Sequence, residues 1–253
     1  MACQNLRLCQ AKCQPPSPVS PPGGGLGYPT LVMPTSTVED YLKCILLEEQ
    51  RDPEALVSMR QISTALSVAP GTVTAMVKTL AESGLVTYEP YSGVRLTPAG
   101  RQLGGHVLRR HRLIELFLVQ VMGMDWSEVH AEAEKLEHAV SESLIERMDA
   151  MLGSPTVDPY GYPIPDARGM VDDTPQIPSL ATCILRQDLR VTRVSDQSPE
   201  FLQLVERREL KPGRVIKVDS RDEMADAVEL ALDTGGRITL GFRAASKILV
   251  EPA

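Results

Sequence analysis

The sequence predicts a mainly α chain that ends in a small all-β unit. Three observations carry that expectation. Apolar residues recur at helical spacing over most of residues 36–152. Two short β-like runs, Leu85–Tyr88 and Val94–Thr97, flank Pro90-Tyr91-Ser92-Gly93 within that region. Beyond Ser179, short alternating or clustered apolar runs replace the long helical periods. A chain of 253 residues has room for two or three modest domains with real cores.

Residues 1–34 carry PPSPVSPPGGGLG, a proline and glycine density that opposes helix and sheet, so a disordered arm is expected there. Ser36-Thr37-Val38-Glu39 has the S-x-x-E form of a capping box. Val38, Tyr41, Leu42, Ile45 and Leu46 predict a helix to about Gln50, with Asp40 in its first turn. Ile62, Ala65 and Leu66 form the inner stripe of a short helix, and Ser67–Gly71 is a turn. Pro70 can open the next helix because the first helical N–H needs no partner. Val73, Met76, Val77 and Leu80 carry that helix to a stop at Ser83-Gly84. With the hairpin that follows, this is the order of a winged helix-turn-helix, whose second helix enters the DNA major groove. The outward face offers Thr72, Thr74, Ala75, Lys78 and Thr79, and Arg60, Ala69 and Gly71 complete the expected DNA-facing set. A helical hairpin used for protein contacts has the same pattern.

Thr97-Pro98-Ala99-Gly100 opens a longer helix through Gln120. Leu113, Ile114, Leu116, Phe117, Leu118, Val121 and Met122 are too many apolar residues for one narrow stripe, so burial on more than one side is expected, as in a dimer interface. Ser127 is placed to cap a helix carrying His130 to His138. Ser141–Leu152 reads as a further helix with Leu144, Ile145, Met148 and Leu152 inward. In the last part, Cys183–Leu185, Val191–Val194, Arg214–Val218, Arg237–Leu240 and Lys247–Val250 read as strands, Pro199–Arg208 as a short helix and Gly235-Gly236 as a turn. A small SH3-like β-barrel is the expected form. The expected division is an arm (1–34), a winged helix-turn-helix (35–104), a helical dimerisation domain (105–170), a linker (171–178) and the β domain (179–253).

The net charge of −7 alone argues against a polyanionic partner, but the charge is segregated. Residues 57–112 carry +5, with seven basic residues against Glu82 and Glu89. Residues 113–176 carry −10, with thirteen acids against three bases. One segment suits DNA, the next suits cations. The five cysteines, Cys3, Cys9, Cys13, Cys44 and Cys183, have no regular spacing and predict no disulfide framework, which fits a reducing cytoplasm. No stretch has the apolar length of a membrane helix, and no signal-peptide core opens the chain.

The acidic segment contains HAEAEKLEH. Its His130, Glu134, Glu137 and His138 fall within an arc of about 100° on one helical face. Imidazole and carboxylate together suit Mn, Fe, Co, Ni and Zn. His111 and Glu115 add a pair one helical turn apart. A solvated acidic helix with two incidental histidines shares this pattern.

The run LRRHRLIELFLVQVMGMDWSEVHAEAEKLEHAVSESLIERM resembles the dimerisation and metal-binding region of the diphtheria toxin repressor family, metal-dependent repressors of iron or manganese homeostasis. The likeness extends back to TVEDYLKCILLEE and forward to DPYGYPIPD, and covers nearly everything from Thr37 to Val250. It implies an effector metal site of Asp40, Glu134, Glu137 and His138, and an ancillary site of His111, Glu115 and His130. It implies that Gln197 and Glu200, from the β domain, reach the ancillary metal, and that residues 171–178 are a flexible linker. Iron-sensing members carry methionine and cysteine where this chain has Asp40 and Glu134. Two carboxylates imply Mn²⁺ as the cofactor, with Fe²⁺ as the other choice. Lys43 stands where manganese-type members with a paired-metal site carry a second acid. An ammonium cannot ligate a cation, so Glu115 and His130 favour two separated sites. The expected protein is a cytoplasmic homodimer that binds operator DNA when metal-loaded and is not an enzyme. The rivals are a winged-helix regulator answering an organic ligand and a metallohydrolase using His130, Glu134 and His138, which lacks the H-E-x-x-H form.

Overall fold

Thr35, rather than Ser36, caps the first helix. The computed structural model describes residues 35–171 and 177–253. The expected arm with Cys3, Cys9 and Cys13, and most of the expected linker, lie outside the described residues. At the head of α1 (Ser36–Arg51) the Thr35 hydroxyl accepts from the Val38 amide. The expected capping box at Ser36 does not form, because Glu39 turns instead to Arg110 and His138. Charge-assisted bonds to two side chains outweigh one to a helix-end amide.

The capping box occurs one helix later. In α2 (Met59–Leu66), Ser58 and Gln61 exchange side-chain and backbone hydrogen bonds. Ser67 takes a left-handed conformation and turns the chain into α3 (Pro70–Glu82), where Pro70 occupies the first turn as expected. Gly84, at φ 71°, ends α3. β1 (Val86–Glu89) and β2 (Gly93–Leu96) pair antiparallel as the wing, with Tyr91 fully exposed in its turn. Leu42, Ile45, Ile62, Val73, Val77, Leu80 and Val94 form the core of this unit, joined by Leu108 from the helix that follows. Buried Glu49 accepts from the Leu96 amide at 2.7 Å and pairs with Arg101.

That helix, α4 (Pro98–Gln120), packs against α1, α5 and α6. It passes close to two neighbours at adjacent glycines. A Cβ on Gly104 would lie 2.9 Å from the Leu42 carbonyl oxygen, and one on Gly105 would lie 1.8 Å from that of Gly169. α5 (Val129–Leu136) and α6 (Glu142–Met151) pack beside α4. Ser127 does not cap α5, because its hydroxyl and amide are both held by Asp125. α5 ends at Leu136, so Glu137 and His138 lie in the turn just beyond it. On α6, Ile145 is buried, but Leu144 is exposed rather than inward.

The C-terminal part contains β3 (Asp188–Val194), α7 (Pro199–Arg207), β4 (Val215–Asp222), β5 (Ala227–Leu232), β6 (Arg237–Leu240), α8 (Phe242–Ala245) and β7 (Ile248–Pro252). The strands form one antiparallel sheet in the order β6-β5-β4-β3-β7. β6 and β7 are its edges, so the ladder is open where a barrel was expected. Cys183–Leu185 lie in turns rather than a strand, and β5 is an unforeseen strand. A second core runs from Leu113, Ile114, Trp126 and Ile145 through Tyr160 into Val191, Val218, Leu230 and Val250. The 158–163 loop joins the two parts. The Tyr160 hydroxyl donates to the Trp126 carbonyl at 2.9 Å, and its own carbonyl accepts from the Val194 amide at 2.9 Å. Among the described residues no helix is long and apolar enough to cross a membrane.

Candidate metal centre

Three elements bring their polar side chains to one place. α1 presents Glu39, Asp40 and Lys43. α4 presents His111 and Glu115, one turn apart. α5 and its following turn present His130, Glu134, Glu137 and His138. Three sets of donors result, each with its atoms within 4.8 Å of one another: Asp40, Glu137 and His138; His111, Glu115 and His130; His111, Glu134 and Glu137.

In the first set, His138 Nε2 lies 2.8 Å from Asp40 Oδ1 and 3.2 Å from Glu137 Oε1. Its Nδ1 faces Glu39 Oε2 at 2.6 Å, and Glu39 is held in turn by Arg110 at 2.8 Å. Burial opposes a charge on His138, but Glu39, Glu137 and Asp40 outweigh it and raise the imidazole above its ordinary range. Burial likewise lifts Asp40 above the usual carboxylate range, although His138 draws it down.

In the second set, His111 Nε2 lies 3.0 Å from Glu115 Oε1 and 3.1 Å from His130 Nδ1, which is itself 2.9 Å from Glu115 Oε1. His111 Nδ1 faces Glu137 Oε2 at 2.6 Å. Burial works against the His111 charge, yet Glu115 and Glu137 push it up to about 9. Burial also works against the Glu115 charge, yet His111 and His130 bring it down to about 2.

The third set is bridged by a cation of the chain itself. The Lys43 ammonium donates to Glu134 Oε1 at 2.9 Å and to Glu137 Oε1 at 2.6 Å. Burial opposes that charge, but Glu137 and Glu134 hold it above the ordinary lysine range. Glu134 therefore stands with Lys43 and His111, not with Asp40 and His138, where the resemblance had put it. Glu137 belongs to two donor sets and orients the histidine of the other.

Imidazole nitrogens with carboxylate oxygens match the preferences of divalent first-row metals, so the residues present fit such an ion. A cavity of about 730 Å³ beside His111, Glu115 and His130 extends to the sheet, where Arg193, Asp196 and Gln197 line it. Glu200 does not line this cavity and is exposed in the first turn of α7. Buried Asp158 lines it too, facing Arg112 at 3.4 Å and accepting from the Tyr160 and Tyr162 amides at 2.9 Å each. Burial pushes Asp158 up to about 6. Glu39 was missed as part of the site because its position in S-x-x-E assigned it to a helix cap. Asp158 and Arg112 give no signal in sequence, being 46 residues apart with no repeating pattern between them.

The expected DNA-facing residues lie on α2, the turn and α3. Arg60, Ala69, Gly71, Thr72, Ala75 and Lys78 are exposed, and nothing stands within 4 Å of a Cβ built on Gly71. Thr74 is half-buried and its hydroxyl donates to the Pro70 carbonyl at 3.0 Å. The basic excess of residues 57–112 is largely spent inside the protein. Arg95 holds the carbonyls of residues 53–55, Arg101 pairs with Glu49, Arg109 with Asp149, Arg110 with Glu39 and Arg112 with Asp158. Among the described residues, only Arg60 and Lys78 of that set make no side-chain hydrogen bond or ion pair.

A winged helix whose first helix reaches into a histidine and carboxylate cluster of a neighbouring helical unit defines a class: DNA-binding proteins coupled to a cation site. The comparisons give the family. Residues 33–94 match the iron dependent repressor N-terminal DNA binding domain, residues 97–166 the iron dependent repressor metal binding and dimerisation domain, and residues 179–252 the FeoA domain. The chain belongs to the diphtheria toxin repressor family of iron- and manganese-dependent transcriptional repressors. It is 40% identical over 131 residues to the iron-dependent repressor IdeR of Mycobacterium tuberculosis, across 51% of this chain and 55% of IdeR. The chain thus spans little more than half the length of that relative. It is 40% identical over 116 residues to the regulator MntR of Lysinibacillus sphaericus, across 46% of this chain and 81% of MntR. A solved manganese-dependent transcriptional repressor in complex with manganese superposes with a TM-score of 0.77 at 38% identity, covering 85% of this chain and all of the other.

Proposed function

We propose that this chain is a metal-dependent, DNA-binding transcriptional repressor of manganese or iron homeostasis, working in the cytoplasm as a homodimer on operator DNA. One observation carries the reading. α1 belongs to the core of the winged unit, yet its Asp40 meets His138, 98 residues away, beside Glu137 of the helical body. A divalent ion held by Asp40, Glu137 and His138 supplies the positive charge that ties these two units together. Glu39 fixes the His138 ring from behind through Nδ1, leaving Nε2 toward Asp40 and Glu137. Glu137 fixes His111 in the same way, leaving its Nε2 toward Glu115 and His130. Such outer partners set the tautomer and orientation of a ligating histidine. Holding α1 against the helical body shifts the population toward a dimer whose two recognition helices meet successive major grooves. Metal and operator then strengthen each other's binding, because linkage is reciprocal.

The carboxylate of Asp40, in the set with Glu137 and His138, supports Mn²⁺ over Fe²⁺. The names of the relatives, iron-dependent for IdeR and manganese-dependent for the superposed structure, support the pair of metals. Exposed Val121 and Met122 beyond α4, and Leu144 and Met151 on α6, support a second copy as partner. Gln197, at the cavity, is retained as a candidate ancillary ligand from the sheet domain; Glu200, outside it, is the weaker of the pair. The division at residues 104, 170 and 178, and an SH3-like form for the sheet domain, belong to the same reading.

The test is binding of metal-stripped protein to promoter DNA at fixed salt, titrated separately with Mn²⁺, anaerobic Fe²⁺ and Zn²⁺. Mn²⁺ is expected to stimulate at the lowest free concentration. His138→Ala is expected to abolish the stimulation while the protein remains dimeric. Stimulation that persists in His138→Ala removes this site from the mechanism. A protein whose DNA binding ignores all three metals answers something else, and the organic-ligand reading takes over.

A further inference from the structure

The wing carries a side chain that the fold does not use. Tyr91, at its tip, is fully exposed and takes no part in the core of the winged unit. It also stands in the left-handed region, at φ 68°, which a bulky residue enters at a cost in stability. The turn itself does not call for a tyrosine. Its own bond, from the Ser92 amide to the Glu89 carbonyl at 3.1 Å, is made by backbone alone. Glycine or asparagine takes this conformation more easily. The hairpin behind the tip is firmly held. Val57 and Val94 exchange backbone hydrogen bonds at 3.0 and 2.9 Å. A Cβ on Gly93 would lie 2.8 Å from both the Leu56 Cβ and the Val57 carbonyl oxygen, so the strand lies close against that segment. β1 packs on α3, the helix expected to enter the major groove. Tyr91 is therefore presented at a fixed place beside α3.

We propose that Tyr91 is a DNA contact of this chain, its ring entering the minor groove next to the major groove that receives α3. The inference rests on the DNA-binding reading above. The minor groove is about 6 Å wide and is lined by the acceptors adenine N3 and thymine O2. A flat ring fits that width, and a phenol O–H can donate to those acceptors. The tip continues the surface of α3 that bears the exposed Lys78, which favours DNA over a protein as the occupant. It adds an uncharged contact to a face with few cations to offer. Glu89, Pro90, Tyr91 and Ser92 are its exposed residues, and the Arg95 guanidinium turns back to the carbonyls of residues 53–55. The strain at Tyr91 is carried by the free protein and is offset when the ring is bound.

The experiment measures binding of Mn²⁺-loaded wild type, Tyr91→Gly and Tyr91→Asn to a duplex of the promoter DNA, by fluorescence anisotropy over a range of salt. Hydroxyl-radical footprints of each complex and the melting temperature of each free protein accompany it. Both variants are expected to bind about tenfold more weakly, the scale of one lost contact to DNA. Their salt slope should match wild type, because no charge is removed. Both should melt at or above wild type, since either residue relieves the left-handed strain. The footprints should lose protection in the minor groove beside the α3 site and keep the rest. Variants that bind and footprint as wild type overturn the proposal. Weaker binding in variants that melt below wild type overturns it as well, because Tyr91 then serves the fold of the wing. Wild-type binding that ignores Mn²⁺ removes the metal-dependent reading and leaves the Tyr91 comparison intact. A wild type that binds no duplex overturns both.

Discussion

Glu137→Gln is the most informative single change, because Glu137 is fully buried and each of its oxygens faces a cation. Lys43 Nζ is 2.6 Å from one oxygen and His111 Nδ1 is 2.6 Å from the other. Both partners are nearly buried as well, so neither can turn to water when the carboxylate is lost. The glutamine keeps the shape and one acceptor oxygen, but its NH₂ must face one of the two donors. Breaking a buried ion pair costs about 3–5 kcal/mol, and the lower end applies here because Lys43 keeps Glu134 and His111 keeps Glu115. For a unit of this size each kcal/mol shifts melting by about 2–4 °C, so the metal-free variant should melt roughly 10 °C below wild type. The consequence for metal is double. The first donor set loses a ligand outright, and the second loses the group that orients His111, a change that typically weakens a site about 10–100-fold. Calorimetric titration with Mn²⁺ should therefore show both ions weakened in Glu137→Gln, whereas Asp40→Asn weakens one. A Glu137→Gln protein that melts with wild type and keeps one ion at wild-type affinity would refute the account of Glu137 as the hub.

Two further outcomes are expected. Lys78→Ala removes one of the two cations of the winged unit that are not engaged within the protein, so operator and non-specific binding should weaken alike, and the slope of log affinity against log salt should become shallower by about one unit for each lysine lost; an unchanged slope would take Lys78 off the DNA. Metal-free protein should lose stability as pH rises from about 6.5 through 9. The raised His111 value means that its stabilisation is complete below the unfolded histidine range and is lost as the folded group titrates near 9. The loss is up to about 3 kcal/mol by urea unfolding, and the slope should fall in His111→Gln to the part that the raised His138 carries. The lowered Glu115 value reflects the same contact and adds nothing in that window.

The parts of this molecule that repeat were readable in the sequence. α1, α3 and α4 follow apolar periods, and their ends obey local rules at Pro70, Gly84 and Pro98. Local rules failed where a distant partner outbid them. Glu39 left the helix cap for Arg110 and His138, 71 and 99 residues away; Ser127 differs, since a local partner, Asp125 two residues before it, holds its hydroxyl away from α5. β5 was missed because Ala227–Leu232 lies in a charged stretch where its alternation is short, and it becomes a strand through pairing with β4 and β6. The metal donors were visible as histidines and acids at helical offsets, but their grouping was not. One helical face held His130, Glu134, Glu137 and His138, yet the ends of that face meet different helices, so His130 joins α4 and His138 joins α1. The basic charge of the winged unit was overestimated as a DNA signal for a related reason. A composition count cannot tell a guanidinium that faces solvent from one that clamps a loop carbonyl.

The same grouping offsets the charge of a strongly acidic centre from within the chain. Glu39, Asp40, Glu115, Glu134 and Glu137 crowd one region, and each is met by a positive or protonatable group of the chain. Arg110 and Lys43 are permanent partners. His111 and His138 have raised proton affinity, so in the metal-free state protons stand where divalent charge would later stand. Of the four, only the histidines present nitrogens that a metal can use. The centre is thus divided by chemistry into a fixed half, which holds α1 to the helical body at all times, and an exchangeable half, in which Asp40 and His138 can tighten that hold. A switch built this way needs little motion. A metal held by Asp40 and His138 would favour the docked arrangement of α1 on the helical body, which places the response in the population of docked heads rather than in a change of fold.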